Sequence, residues 1–412
     1  MLSDLELTEA VDAAESDLVE LCSKLVAAPS VSPPGDTRAV AEVVRTHLRG
    51  VGITSDLAIR NPLKPSLLAS IEGADPGAHL VMNVHLDTMP AGDETEWSVD
   101  PWALTERDGR LYGLGMGNMK GAVAAMTLAV ELLSARAQSW PGRITFAAVS
   151  DEVMFGPDGA AWLLEARPDL YGDALICGEG PGWMRLAIGE KGVAWYELEA
   201  EGPSGHSSRA LVGQSAVARL AAVVTRLDAL GGRRIDPPPG LEALSGDPED
   251  PGTLLSLNVG TFEGGSVVSQ LPVRARASVD ARMPPGIGLD EVDELVRTAC
   301  EQTEGVEWHR TKGWAADWTD PSASIVSCVS AAASAVRGET PKLAVRLPAS
   351  DASRWRAEGI PAVCYGPQPT FSAGTDDFAE RQDVVDCAKV YALAAVRFLR
   401  ELQTEATKPQ DT

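Results

Sequence analysis

Three apolar runs end in residues that move protons or hold cations. VMNVHLDTMP ends on His85, with Asp87 two residues on; RITFAAVSDE ends on Asp151 and Glu152; ALICGEG ends on Glu179. A period of two puts His85 and Asp87 on one face of a strand. In open α/β sheets, ligand sites gather at the carboxyl ends of strands. A histidine held by a carboxylate is a metal ligand or an acid/base dyad, the plain alternative being a solvated loop pair. One such ending is common, and three together point to a site. GRLYGLGMGNMKG adds a flexible loop running into a helix, where Asn118 is a natural N-cap. Its glycines are not a dinucleotide fingerprint: the third glycine and the following ribose-binding acid are missing. His47, beside charged residues in a helix, and His79 and His309, near strand edges, read as surface or structural groups.

Positioning these groups takes an alternation of strands and helices. Residues 8–29 repeat apolar positions at helical spacing and stop before VSPPGD, and a second helix spans about 37–50. LLASIEG and LVMNVHLD read as strands, KGAVAAMTLAVELLSARA as a buried helix, and RITFAAVSDE, GAAWLLEA and ALICGEG as strand, helix and strand. Continuously apolar strands between helices predict an α/β fold with a mostly parallel sheet covered on both faces. After about 188 the pattern changes. VAWYELEAEG, LLSLNVGTFEG and VRARASVDARM alternate, helices fall near 213–230 and at LDEVDELVRTACEQ, and IDPPPGLEALSGDPEDPG reads as a loop. The outline is β-α-β-β-α-β, helices on one antiparallel sheet. From about 310 the first texture returns with PAVCYGP and the last helix, VVDCAKVYALAAVRFLREL. We expect a discontinuous α/β domain of residues 1–189 and 308–412 with an α+β insert at 190–307. The tail TEATKPQDT is expected to be disordered.

A chain of 412 residues exceeds what one core commonly serves. Lys plus Arg number 35 against 59 Asp plus Glu, a net charge of −24. That balance rules out most phosphate-backbone binding and argues against docking on anionic lipid. No apolar run reaches the roughly 18 residues of a membrane span, and the acidic N-terminus lacks the signature of a signal peptide. The expectation is a cytoplasmic protein whose six scattered cysteines are reduced and mostly buried.

These motifs resemble, in order along nearly the whole chain, the di-zinc amidohydrolases that include aminoacylase, carboxypeptidase G and succinyl-diaminopimelate desuccinylase. HLDTMP resembles their HLDTVP, and WSVDPWALTERDGRLYGLGMGNMKG their tract ending in Asp-Met-Lys-Gly. SDEV stands where they carry Asp-Glu-Glu, and CGEG where they carry Gly-Glu-Pro. GPSGHSS, LNVGTFEGG and DARMPPG match their inserted domain, and EGIPAVCYGPQ their C-terminal strand. The resemblance implies a catalytic domain with an inserted lid domain that usually forms a homodimer.

It also implies a site. His85 and Glu179 match the two ligands exclusive to the first metal. Asn118 replaces the bridging aspartate, Val153 the glutamate of the second metal, and Gly374 its C-terminal histidine; no histidine follows His309. An amide binds zinc more weakly than a carboxylate and cannot balance two divalent charges. Glu152 matches the general base, Asp87 the residue that orients the metal-binding histidine, and His206 the lid residue that reaches a partner's site to stabilise an oxyanion. The first expectation is therefore a metal-independent acid/base enzyme with no cofactor, using Glu152, His85, Asp87 and His206. An alternative is an amidohydrolase with a single zinc on His85, Asn118 and Glu179, and a third a non-catalytic binding homologue. The resemblance implies a small substrate with a free carboxylate, contacted by Asn118, Glu179 and Arg354. Arg354 stands one residue further from its aspartate than in the family. Ser269 replaces the family's asparagine before its Val-Ile-Pro.

Overall fold

The computed structural model describes residues 2–180, 182, 184–242, 244, 250–368 and 374–406. Residues 407–412 of the expected disordered tail, and parts of the 235–252 loop and of FSAGTDDFAE, lie outside the described residues; Thr404 and Glu405 continue the last helix. The chain forms two compact units. The first runs to Ile188, then Thr319–Ala344, then from Ser350 on; the second is Gly189–Trp318 with Val345–Ala349.

In the first unit, the strands Arg143–Val149, His79–His85, Ala174–Cys177 and Ala362–Cys364 lie side by side and parallel. Ser66–Glu72 pairs antiparallel beyond Arg143–Val149. The central strands are buried along nearly their whole length, as a sheet covered on both faces requires. The covering helix Gly121–Ser134 is buried at almost every position and packs on the long helix Arg381–Ala406. The N-terminal stretch read as one helix is two, Asp4–Ala13 and Glu15–Val26, separated by Ala14 at φ −99°, ψ 10°. No glycine or proline marks that break, so periodicity alone ran through it.

In the second unit, four antiparallel strands lie in the order Ser256–Gly264, Arg274–Met283, Gly192–Glu201, Val306–Trp314. The helices Ala216–Asp228 and Leu289–Glu301 bury Leu220, Val223, Val292 and Val296 against Tyr196, Leu198 and Val279 of the sheet. The last strand spans the expected boundary at 307, so this unit continues to Trp318. A half-exposed edge strand and a return to the other unit look alike in hydropathy, which is why the boundary was set too early. All six cysteines are buried and none forms a disulfide.

Candidate active site

The parallel strands of the first unit bring their carboxyl ends together. His85 is the last residue of its strand, Glu152 lies three residues past Val149, and Glu179 two past Cys177. Each lies on the chain as it leaves the sheet, where its side chain is free of the strand ladder. His85 Nε2 is 3.3 Å from Glu179 and 3.8 Å from Glu152 Oε2. All three residues are buried, and one ligating atom from each falls within 4.8 Å of the others. Asn118 completes the group: its Oδ1 is 2.6 Å from His85 Nε2, and its Nδ2 donates to Glu179 Oε2 at 3.2 Å.

Two sequence expectations are corrected here. Asn118 does not cap the following helix, which starts at Gly121 with Lys120 as its N-cap and no capping side chain. Asn118 has an extended backbone, φ −140°, ψ 102°, and turns its amide into the cluster. The second correction concerns Asp87. Its carboxylate is 3.8 Å from His85 Nδ1, beyond hydrogen-bonding distance; the Asp87 carbonyl accepts from that nitrogen at 2.8 Å. The carboxylate instead accepts from the backbone N–H of Glu152 at 3.1 Å and of Val153 at 3.0 Å. Asp87 thus orients the imidazole through its main chain and the glutamate turn through its side chain.

Asp351 was not singled out from the sequence. It is buried, accepts from Asn83 Nδ2 at 3.2 Å, and interacts electrostatically with His85, Asp87 and Glu152. Period two from His85 reaches Asn83, which was the available signal. Arg354 sits half-buried on the short helix Ala352–Ala357 and draws the Asp351 pKa down. Val153 is half-buried, and Gly374 is exposed with open space where a side chain would project. His206 is in the second unit, exposed, its Nδ1 accepting from the Ser208 N–H at 3.2 Å.

The electrostatics follow from burial. Loss of water pushes Glu152 well above the usual carboxylate range, with Glu179 and Asp351 adding to the rise against the pull of His85. Burial lifts Asp351 to about 6 and also raises Asp87. Burial alone would lower His85, but Glu152, Glu179 and Asp87 outweigh it and carry its pKa up to about 10. The cluster therefore calls for positive charge, from protons or from a cation.

The donor set fits one divalent ion. An imidazole nitrogen, carboxylates and an amide oxygen converge, and Glu152 Oε1 is buried without a hydrogen-bond partner. Val153 and Gly374, set by the resemblance against ligands of a second metal, carry no donor side chain, and the Asn118 amide is neutral. The expectation of a metal-free site accordingly finds no support in this donor set.

Comparison with known proteins agrees with this architecture. A model of peptidase family M20/M25/M40 matches residues 81–397. The chain is 30% identical over 294 residues to acetylornithine deacetylase of Yersinia pseudotuberculosis serotype O:1b, covering 69% of this chain and 72% of that one. It is 27% identical over 406 residues to succinyl-diaminopimelate desuccinylase of Rhodospirillum centenum, covering 93% and 97%. An M20 family metallo-carboxypeptidase from Sulfolobus solfataricus shares the fold, with a TM-score of 0.75, 19% identity and coverage of 97% and 100%. With the match spanning most of the chain and taking in all the strand ends that build the site, this protein belongs to peptidase family M20/M25/M40.

Proposed function

We propose that the protein is a hydrolase of a small amino-acid-derived amide, an N-acyl amino acid or short peptide, working with one divalent ion. The observation that carries this is the buried convergence of His85, Glu179 and Glu152 around the Asn118 amide. The relatives' substrates, an acetylated and a succinylated amino acid by name, support the substrate class. His85, Glu179 and the Asn118 oxygen would hold the ion, which would polarise the scissile carbonyl and acidify the attacking water. Glu152 takes the proton from that water and returns it to the leaving amine. Its burial-raised pKa suits a group that must both accept and donate near neutrality. Asp87 holds the Glu152 turn, and Arg354 supplies positive charge for a substrate carboxylate. His206 donates to the developing oxyanion from the lid of a second copy in a homodimer. Its Nδ1 is occupied as an acceptor, which leaves the proton on Nε2.

One observation favours a metal-free variant of the same chemistry. Both imidazole nitrogens of His85 face carbonyl oxygens, of Asp87 and Asn118, so the ring as placed carries two protons. Its cation would then stand in for the metal. Metal analysis with a chelator assay on N-acetyl-L-amino acids separates the two. We expect about one zinc per chain, activity lost in chelator and restored by zinc, and a loss of about 10²–10⁴ in turnover for Glu152→Gln. Activity indifferent to chelator would hand the case to the metal-free reading. Two tightly bound zincs would show that the ligands were misassigned.

A further inference from the structure

The chain that carries Glu152 leaves its strand through a backbone conformation that needs holding. Asp151 has φ 65°, in the left-handed region that non-glycine residues rarely adopt. Its carboxylate is buried and does not face the cluster partners of Glu152. Oδ1 accepts from Lys64 Nζ at 2.5 Å, and Oδ2 accepts from the Asp158 N–H at 3.0 Å. The Asp151 carbonyl accepts from the Gly156 N–H at 3.0 Å, so the turn 151–158 is wound around this one residue. Any side chain at Gly156 would collide with the Asp151 carboxylate.

Lys64 is itself fixed. Its side chain is 16% exposed, and its Cε lies 3.1 Å from where a β-carbon on Gly35 would stand. The segment bearing it makes further bonds to the same turn, among them two between uncharged donors and their acceptors. Ser150 donates through its hydroxyl to the Pro65 carbonyl at 2.7 Å, and Asn61 Nδ2 donates to Asp158 Oδ2 at 3.1 Å. Among the described residues, Lys64 is the cation paired with Asp151.

We propose that Lys64 is a positioning residue that acts through Asp151 to hold the Glu152 carboxylate against His85; the inference rests on Glu152 being the proton-transfer group. Without the ammonium, Asp151 is a buried carboxylate lacking its counter-ion, adjacent in sequence to a second buried carboxylate. The turn then keeps its Asp87 bonds to the Glu152 and Val153 amides and its bonds from the neutral donors Ser150 and Asn61, but loses the ion pair on left-handed Asp151. The 3.8 Å approach of Glu152 to His85 is no longer enforced from the other side. Proton transfer depends steeply on such placement, whereas substrate binding does not use Lys64.

The test compares wild type, Lys64→Met and Lys64→Arg by amide hydrogen exchange and by steady-state kinetics on a panel of N-acetyl-L-amino acids. In Lys64→Met, exchange in residues 152–158 should quicken at least tenfold while the strand Arg143–Val149 stays protected. Turnover should fall about 10–100-fold with KM within twofold, and Lys64→Arg should recover most of both. Unchanged exchange at 152–158 would overturn the proposal, as would faster exchange with unchanged turnover. If Lys64→Met does not fold, Lys64→Gln, which keeps a polar tip, takes its place with the same expectations. If wild type hydrolyses nothing in the panel, the reading of Glu152 fails, and the exchange result alone decides whether Lys64 latches the turn.

Discussion

The side-chain amide of Asn118 touches two groups of opposite need. Its oxygen sits 2.6 Å from His85 Nε2, and its nitrogen donates to Glu179 at 3.2 Å. A carboxylate there would accept from His85 equally well but would set negative charge against Glu179. Two carboxylates that close, in a buried site, are tolerable only when cations stand between them. The amide therefore lowers the positive charge the cluster must recruit. The expected outcome for Asn118→Asp follows. In chelator its unfolding midpoint should fall below wild type, by roughly 1–3 kcal/mol of stability for a buried group left unmatched. Added zinc should restore or exceed the wild-type value, because an ion that binds only the folded chain stabilises it by mass action. Thermal unfolding with and without zinc measures this. A variant whose midpoint ignores both chelator and zinc would mean that Glu179 and residue 118 do not share a cation site.

At the scale of elements, the loop that delivers Asn118 depends on a residue far along the chain. Asp377 is buried and accepts from the Gly115 N–H at 2.7 Å and the Gly117 N–H at 3.1 Å. Gly115 has φ 86°, and a β-carbon there would press on Thr88 at 2.6 Å, so the loop turns where only glycine fits. Asp377 also supports Lys120, whose pKa burial pushes down to about 7 against the pull of that carboxylate. Replacing Asp377 with alanine leaves buried donors unmet, each worth about 1–3 kcal/mol. Asp377→Ala should lose at least about 2 kcal/mol in denaturant unfolding, together with zinc affinity measured by titration calorimetry. Loss of stability with zinc binding intact would separate the loop from the site. This dependence was invisible in the sequence, because Gly115 and Asp377 are remote and nothing periodic links them. The strand ends were legible for the opposite reason. A buried parallel strand must be continuously apolar, so the polar residue that ends it stands out, as His85, Glu152 and Glu179 do. Asn118 was misread as a cap because an asparagine before a helix usually is one, and only the φ and ψ of the loop show otherwise. The role of Asp87 was half legible: the spacing placed it beside His85, but which of its atoms does the orienting depends on the turn at Asp151.

Across the whole molecule, acid acts on two groups of the first unit in opposite senses. His79 is half-buried at the start of its strand, with Nε2 hydrogen-bonded to Thr145 Oγ1 at 2.8 Å. Burial, with Arg143 adding to it, pushes its pKa down from 6.5 to about 4. Between those values the unfolded chain binds the proton and the folded chain does not, so stability falls as pH drops from about 6.5 towards 4. The full effect is at most about 3 kcal/mol. Asp351 works the other way. Burial raises it from 3.8 to about 6, so in that window the folded chain holds the extra proton, and acidification favours folding. The raised carboxylates of Glu152 and Asp87 share that sense. A profile of wild-type stability against pH therefore mixes cancelling contributions, and the difference between two proteins is what isolates one. We expect His79→Gln to be less stable than wild type at pH 7.5, through loss of packing, and to close that gap as pH falls to about 4.5. Urea unfolding in chelator at a series of pH values measures it, the chelator keeping metal linkage out of the comparison. Parallel pH profiles for the two proteins would mean that His79 titrates alike in the folded and unfolded chains.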